Sequence, residues 1–270
     1  MQKKSILHRS IEIASKLGKI IDMMYYYCPK ENITDTTAAF PEQESRHIRT
    51  VKRLGPGDPI RFSDGRGGLY TGSITQTGDK RNLVVDLLEK KEVERRPPLV
   101  IAGFSVPKQK RIDIVLEKGT ELGIDRFVPV HFKRSEVRLK DQGNKTERIR
   151  RQVLNASKQS QRLFFPEVMP ATDLQEFIAL SEKEEALLIF GHTGEGAVPV
   201  RHALREAAKR GLSTAITLTG PEGGITDSEA EQLQSSGFQP VSLGPNILRT
   251  ETAVLCFATA AGLILDREQD

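Results

Sequence analysis

Leu218-Thr-Gly-Pro-Glu-Gly-Gly-Ile-Thr226 and, further along the chain, Ser242-Leu-Gly-Pro-Asn-Ile-Leu-Arg-Thr-Glu-Thr-Ala253 decide how this sequence is read. Each stretch begins where an apolar, β-rich run ends in glycine, and each leads into a helix-like pattern. Gly220, Gly223, Gly224 and Gly244 carry no Cβ, so the backbone N–H groups of these turns can approach a ligand closely and take φ values closed to other residues. Two such turns side by side predict a pocket. Thr226-Asp-Ser-Glu229 is a capping box that starts a helix directly after the first turn, and the run from Thr250 to Leu265 predicts the last helix.

Upstream of the turns, strand and helix patterns alternate. Strands are predicted at Leu99 to Phe104, Phe127 to His131, Ala186 to Phe190 and Ala215 to Thr219. Helices are predicted at Gln109 to Leu122, ended by Gly123, at Thr146 to Gln161 and at Pro199 to Arg210. That alternation makes 99–270 an α/β domain with a mainly parallel sheet, whose ligand crevice lies beyond the carboxyl ends of the strands, where both turns fall. Before it, 23–93 reads as a small β-barrel-like domain. Its strands are Ile33 to Ala39, Pro59 to Ser63, Leu69 to Gln76 and Leu83 to Leu88, with an Asp64-Gly65 hairpin turn and Tyr25, Tyr26 and Tyr27 in the first strand. One helix interrupts them, with Pro41 near its first turn, Ile48, Val51 and Leu54 on one face and Gly55 as its C-cap. The charged run from Lys90 to Pro98 contains the interdomain linker, 94–98, and 1–22 is an amphipathic N-terminal extension.

With 270 residues, 37% hydrophobic and 28% charged, the chain is an ordinary globular composition with room for two domains. A net charge of +4 is compatible with a polyanionic partner and decides nothing alone. Cys28 and Cys256 are the only cysteines, which argues against a disulfide framework or structural zinc and for the reducing cytosol. The five histidines lack metal-ligand spacing, so no metal is expected. No apolar run reaches the roughly 18 residues of a membrane span, and charge interrupts the start too often for a signal peptide, so a soluble, unprocessed protein is expected. Walker A, complete GxGxxG and GxSxG sequences are absent, which disfavours kinase-like, dinucleotide-redox and serine-hydrolase chemistry.

The two turns together resemble the signature of the SPOUT class of S-adenosylmethionine-dependent RNA methyltransferases, and more narrowly the family that methylates N3 of a uridine in 16S ribosomal RNA. The resemblance runs from about Met23 onward and rests on Gly220-Pro-Glu-Gly-Gly224 and Leu243 to Ala253. Supporting pieces are His47 to Asp58, Glu121-Leu-Gly123 and Asn155-Ala-Ser-Lys-Gln-Ser-Gln-Arg162. It implies a PUA-like RNA-binding barrel followed by a SPOUT domain with a C-terminal trefoil knot. It also implies a cytoplasmic homodimer whose substrate is 16S rRNA or the assembled small subunit, with S-adenosylmethionine as cofactor. Two departures stand out: Lys158 occupies the position where that family has Glu, and residues 1–22 have no counterpart.

Methyl transfer from a sulfonium needs alignment and charge management more than metal chemistry, and uridine N3 must lose a proton. Arg249 is the expected stabiliser of the negative charge that develops on the base. Glu222 and Glu251 are the candidate proton acceptors, Glu251 being equally a first-turn carboxylate complementing a helix dipole. By the same resemblance, cofactor contacts are expected at Phe190, Gly191, Leu218, Thr219, Gly220, Gly223, Gly224, Leu243, Gly244, Leu248 and Thr250. RNA phosphate contacts are expected from Lys108, Lys110 and Arg111, from Lys133, Arg134 and Arg138, and from the basic helix carrying Arg148, Arg150, Arg151, Lys158 and Arg162. Two other readings use the same residues: a methyltransferase acting on another RNA site, and an RNA-binding module with an inactive pocket.

Overall fold

The computed structural model describes residues 26–75, 81–137 and 143–266. The extension over 1–22, Tyr25 and Arg138 lie outside the described residues. The chain divides into two compact units. One comprises the described residues up to Arg95 together with Lys158–Phe165, and the other comprises Arg96–Ser157 and the chain from Pro166 onward.

The first unit is a curled five-stranded sheet. Its strands are β1 (Tyr26–Tyr27), β2 (Thr37–Ala39), β3 (Pro59–Ser63), β4 (Gly68–Ile74) and β5 (Val84–Glu92), in the order β1-β3-β4-β5-β2. Tyr26, Phe40, Ile48, Phe62 and Tyr70 fill its core, with the Phe62 and Tyr70 rings stacked at 5.2 Å. The predicted Asp64-Gly65 turn joins β3 to β4. Asp64 Oδ1 accepts the N–H groups of Arg66 and Gly68, both at 2.9 Å, and Oδ2 accepts the Tyr70 hydroxyl at 3.1 Å. Burial pushes this carboxyl up, but the Arg66 N–H, the Lys30 ammonium and the other donors outweigh it, so its pKa lies below the ordinary carboxylate value.

Three local expectations are corrected in this unit. The strand expected from Ile33 shortens to Thr37–Ala39, because the Thr34 hydroxyl accepts the Thr36 and Thr37 N–H groups and forms a turn instead. The expected single helix is α1 (Glu42–Arg46) followed by a π-helical turn, His47–Val51, that leaves Val51 64% exposed; Arg53 (φ +56°), not Gly55, turns left-handed after it. Strand β5 continues past the expected end at Leu88 to Glu92, because Lys90 to Glu92 pair with β4 from Tyr70 to Gly68 and expose their charged side chains.

The return of Lys158–Phe165 to this unit was not visible in the sequence. The Gly67 N–H donates to the Leu163 carbonyl at 3.0 Å, and the Phe165 N–H to the Gly65 carbonyl at 2.9 Å. Lys158 Nζ lies 2.9 Å from Glu44 Oε2, and the Glu44 Oε1 accepts the Tyr27 N–H at 3.2 Å. Lys158 is thereby engaged in a largely buried ion pair, and Arg162 donates to the Phe164 carbonyl. Both belong to the basic cluster expected to contact RNA phosphates.

The second unit is an eight-stranded sheet in which every pairing is parallel. Its strands are β6 (Leu99–Ser105), β7 (Arg126–His131), β8 (Glu167–Val168), β9 (Thr172–Asp173), β10 (Leu187–Gly191), β11 (Val198–Pro199), β12 (Thr214–Thr219) and β13 (Gln239–Ser242). The order is β11-β13-β10-β12-β6-β7-β8, with β9 also on β7. The central strands are apolar on both faces because helices cover both. These helices are α2 (Gln109–Glu121), α3 (Gly143–Gln159), α4 (Leu174–Ser181), α5 (Val200–Lys209), α6 (Asp227–Ser235) and α7 (Thr250–Leu265). One core packs α2, α5 and α7 residues such as Val115, Leu204 and Phe257 against the sheet; the other packs Phe177 of α4 and Leu233 of α6. Helix α4 and the short strands β8, β9 and β11 were not anticipated.

Candidate functional site

Three neighbouring parallel strands end at one level. Phe190 of β10 is paired with Leu218 of β12 and Pro240 of β13, so Gly191, Thr219 and Val241 lie side by side, one residue before β13 ends at Ser242. The two quoted turns are the exits from β12 and β13. In the first, the Gly224 N–H bonds to the Pro221 carbonyl at 2.8 Å, and Gly224 takes φ +77°, a conformation in which a Cβ is strained. In the second, Ser242 Oγ bonds to the Gly244 carbonyl at 3.1 Å, and Gly244 takes φ +138°. The turns are joined: the Thr250 hydroxyl, in the first turn of α7, donates to the Gly220 carbonyl at 3.1 Å.

Between them lies a cleft of about 430 Å³, the size of a small-molecule site. Of the residues expected to hold a cofactor, Gly191, Thr219, Gly220, Gly223, Gly224, Leu243, Gly244, Leu248 and Thr250 line it. Phe190 and Leu218 do not; both are fully buried in the core cluster that packs Phe177 and Leu233. The Thr219 hydroxyl is buried on the wall with no partner among the described residues, so a polar ligand can satisfy it. His192, Thr193, Asn246 and Ile247 complete the wall, with Ile247 87% exposed.

The three expected catalytic residues fall at different depths. Glu222 is on the wall of the cleft. Arg249 is the N-cap residue of α7, exposed, between the lining residues Leu248 and Thr250 but not itself on the wall. Glu251 is buried in the first turn of α7, off the cleft, with Oε2 unpartnered among the described residues. Arg111, one of the expected RNA contacts, bridges the two carboxylates, with Nη1 2.7 Å from Glu222 Oε1 and Nε 3.6 Å from Glu251 Oε1. Lys108 and Lys110 are exposed at the start of α2, Lys108 paired with Glu136 at 3.1 Å.

Helix α6 starts as its capping box dictates, with Thr226 and Glu229 bonded reciprocally. Glu229 also accepts the Lys133 N–H at 2.7 Å, latching the loop after β7 to the first turn. Burial pushes the Glu229 carboxyl up, but the Lys133 N–H and the donors of Thr226 prevail and hold it below the ordinary value. That loop carries Arg134, which lines the cleft and donates from Nη1 to the Gly223 carbonyl at 3.0 Å. Arg134 is also one of the expected RNA contacts, and nothing local in the sequence marks a residue that reaches a turn 89 positions away.

Comparison with known proteins agrees with this layout. A family model described as an RNA methyltransferase domain matches residues 94–262, and one described as an RNA methyltransferase PUA domain matches 40–88. Ribosomal RNA small subunit methyltransferase E of Synechocystis sp. is 32% identical over 251 residues, covering 92% of this chain and 80% of that one. The protein of the same name from Bacillus subtilis is 30% identical, covering 81% of this chain and 87% of its own. A crystal structure of ribosomal RNA small subunit methyltransferase E from Neisseria gonorrhoeae bound to S-adenosyl methionine superposes with a TM-score of 0.74 at 29% identity, over 88% of this chain and 96% of that one.

Proposed function

The chain belongs to the ribosomal RNA small subunit methyltransferase E family of RNA methyltransferases, and from that premise we propose that it methylates N3 of a uridine in 16S rRNA using S-adenosylmethionine. The observation that carries this reading is the cleft at the ends of β10, β12 and β13, where two glycine turns meet at the level of the exposed Arg249. When bound, S-adenosylmethionine supplies a methyl group already activated by its sulfonium.

What remains for the protein is positioning and charge. The backbone of both turns and the unpartnered Thr219 hydroxyl supply hydrogen bonds to a polar ligand in the cleft. Arg249 stabilises the negative charge that spreads over the uracil carbonyl oxygens as N3 loses its proton. Glu222 is the better placed of the two carboxylates to accept that proton, because it lies on the wall whereas Glu251 lies beneath it. Lys108, Lys110 and the exposed Arg150 and Arg151 of α3 supply phosphate contacts that position RNA without reading its sequence.

The same reading includes the trefoil knot and homodimer of the SPOUT class. Helix α7 supports the dimer: it is apolar around most of its circumference yet leaves Leu263 64% exposed, next to α2 with Ile114 44% exposed. Among the described residues no helix is long and apolar enough to cross a membrane, and a cytoplasmic site of action belongs to the proposal.

Mass spectrometry of nucleosides from the ribosomal RNA of a deletion strain tests the assignment. One 3-methyluridine is expected to disappear from 16S rRNA and to return with the intact gene. Unchanged 16S rRNA would reject the assignment, and loss of a different methylated nucleoside would reject the atom.

A further inference from the structure

We propose that Arg134 is the receptor for the α-carboxylate at the methionine end of the methyl donor, an inference that rests on the reading of the cleft given above. Among the described residues Arg134 is the only lysine or arginine on the cleft wall. The other charged group there is Glu222, whose Oε1 is tied to Arg111. A zwitterionic amino-acid tail entering the cleft therefore meets a single fixed cation.

The exposed Arg134 side chain is anchored by one bond, and the loop that carries it is braced from both flanks. Its Nη1 donates to the Gly223 carbonyl at 3.0 Å. A Cβ on Gly223 would stand 3.2 Å from the Arg134 Cβ and 3.5 Å from its carbonyl oxygen, so the absence of a side chain there lets the loop after β7 press directly on the first turn. On one flank Lys133 donates its N–H to Glu229 at 2.7 Å and its ammonium to the Ser228 hydroxyl at 2.8 Å. On the other, the Ser135 hydroxyl accepts the Phe132 N–H at 2.9 Å and meets the Ser105 hydroxyl at 3.1 Å.

A guanidinium has five N–H donors in a planar fork, and the Gly223 carbonyl uses one. The rest suit a carboxylate, which the fork engages through two parallel bonds. An RNA phosphate is the competing anion, but Nη1 is directed back over the turn, 3.8 Å from where a Gly224 Cβ would stand, rather than away from the cleft.

Calorimetric titration of the full chain with S-adenosylmethionine and with decarboxylated S-adenosylmethionine isolates the contact, since the two ligands differ only in the carboxylate. The wild-type chain is expected to prefer the intact ligand. Arg134→Ala is expected to weaken that ligand by about tenfold or more and to leave the decarboxylated one unchanged, with Arg134→Lys in between. Equal weakening of both ligands would mean that Arg134 only braces the turn, and no weakening of either, with RNA affinity reduced, would make it a phosphate contact; each overturns the inference. A wild-type chain that binds neither ligand would overturn the reading of the cleft, and this inference with it.

Discussion

Arg249→Ala is expected to lower the turnover of methyl transfer about a hundredfold or more while leaving the affinity for S-adenosylmethionine near that of the unaltered chain. The split follows from position. Arg249 is not on the wall of the cleft, and its main chain keeps its role at the start of α7, where its carbonyl accepts the Ala253 N–H at 2.9 Å. Its exposed side chain makes no capping bond, so alanine removes a cation and little else. Single-turnover rates and calorimetric binding, measured on the same preparation, check both halves. A parallel loss of cofactor affinity would place Arg249 in the donor site instead of beside the acceptor base.

The second large effect concerns stability. Lys158→Met is expected to destabilise the first unit by about 3 kcal/mol, because it leaves the Glu44 carboxylate buried with the Tyr27 N–H as its remaining donor. Glu44→Gln combined with Lys158→Met is expected to be less destabilised than Lys158→Met alone, since the double variant removes the uncompensated charge. Denaturant midpoints of the full chain, with hydrogen exchange at Tyr27 and over Lys158–Phe165 to localise the change, measure it. Strictly additive effects would mean that the two groups are not coupled. If the prediction holds, the lysine at this position is a clasp for the returning segment.

Much of the site was legible because its code is local. Glycine and proline write the two turns, and the Thr226 to Glu229 spacing writes the start of α6. The predominantly apolar run from Ala253 fixes α7 to its last residue, Leu265. What escaped was tertiary. Arg134 and Arg111 reach the first turn across 89 and 111 residues, and no pattern around either distinguishes a cleft or carboxylate partner from a solvated cation. The return of 158–165 depends on backbone pairing with Gly65 and Gly67, which leaves no mark on side-chain periodicity. The charged residues that end β5 carry no strand pattern because their pairing is made by the main chain, and only burial, which they lack, would have betrayed it.

On the function proposed above, the turns after β12 and β13 jointly cradle a methyl donor. The structure of a crystal soaked with S-adenosylmethionine tests it most directly. The ligand is expected between Gly220–Gly224 and Leu243–Gly244, with Gly191 beside it and its amino-acid end toward Arg134. A ligand bound at another surface, or one touching a single turn with the other displaced from it, would contradict the account.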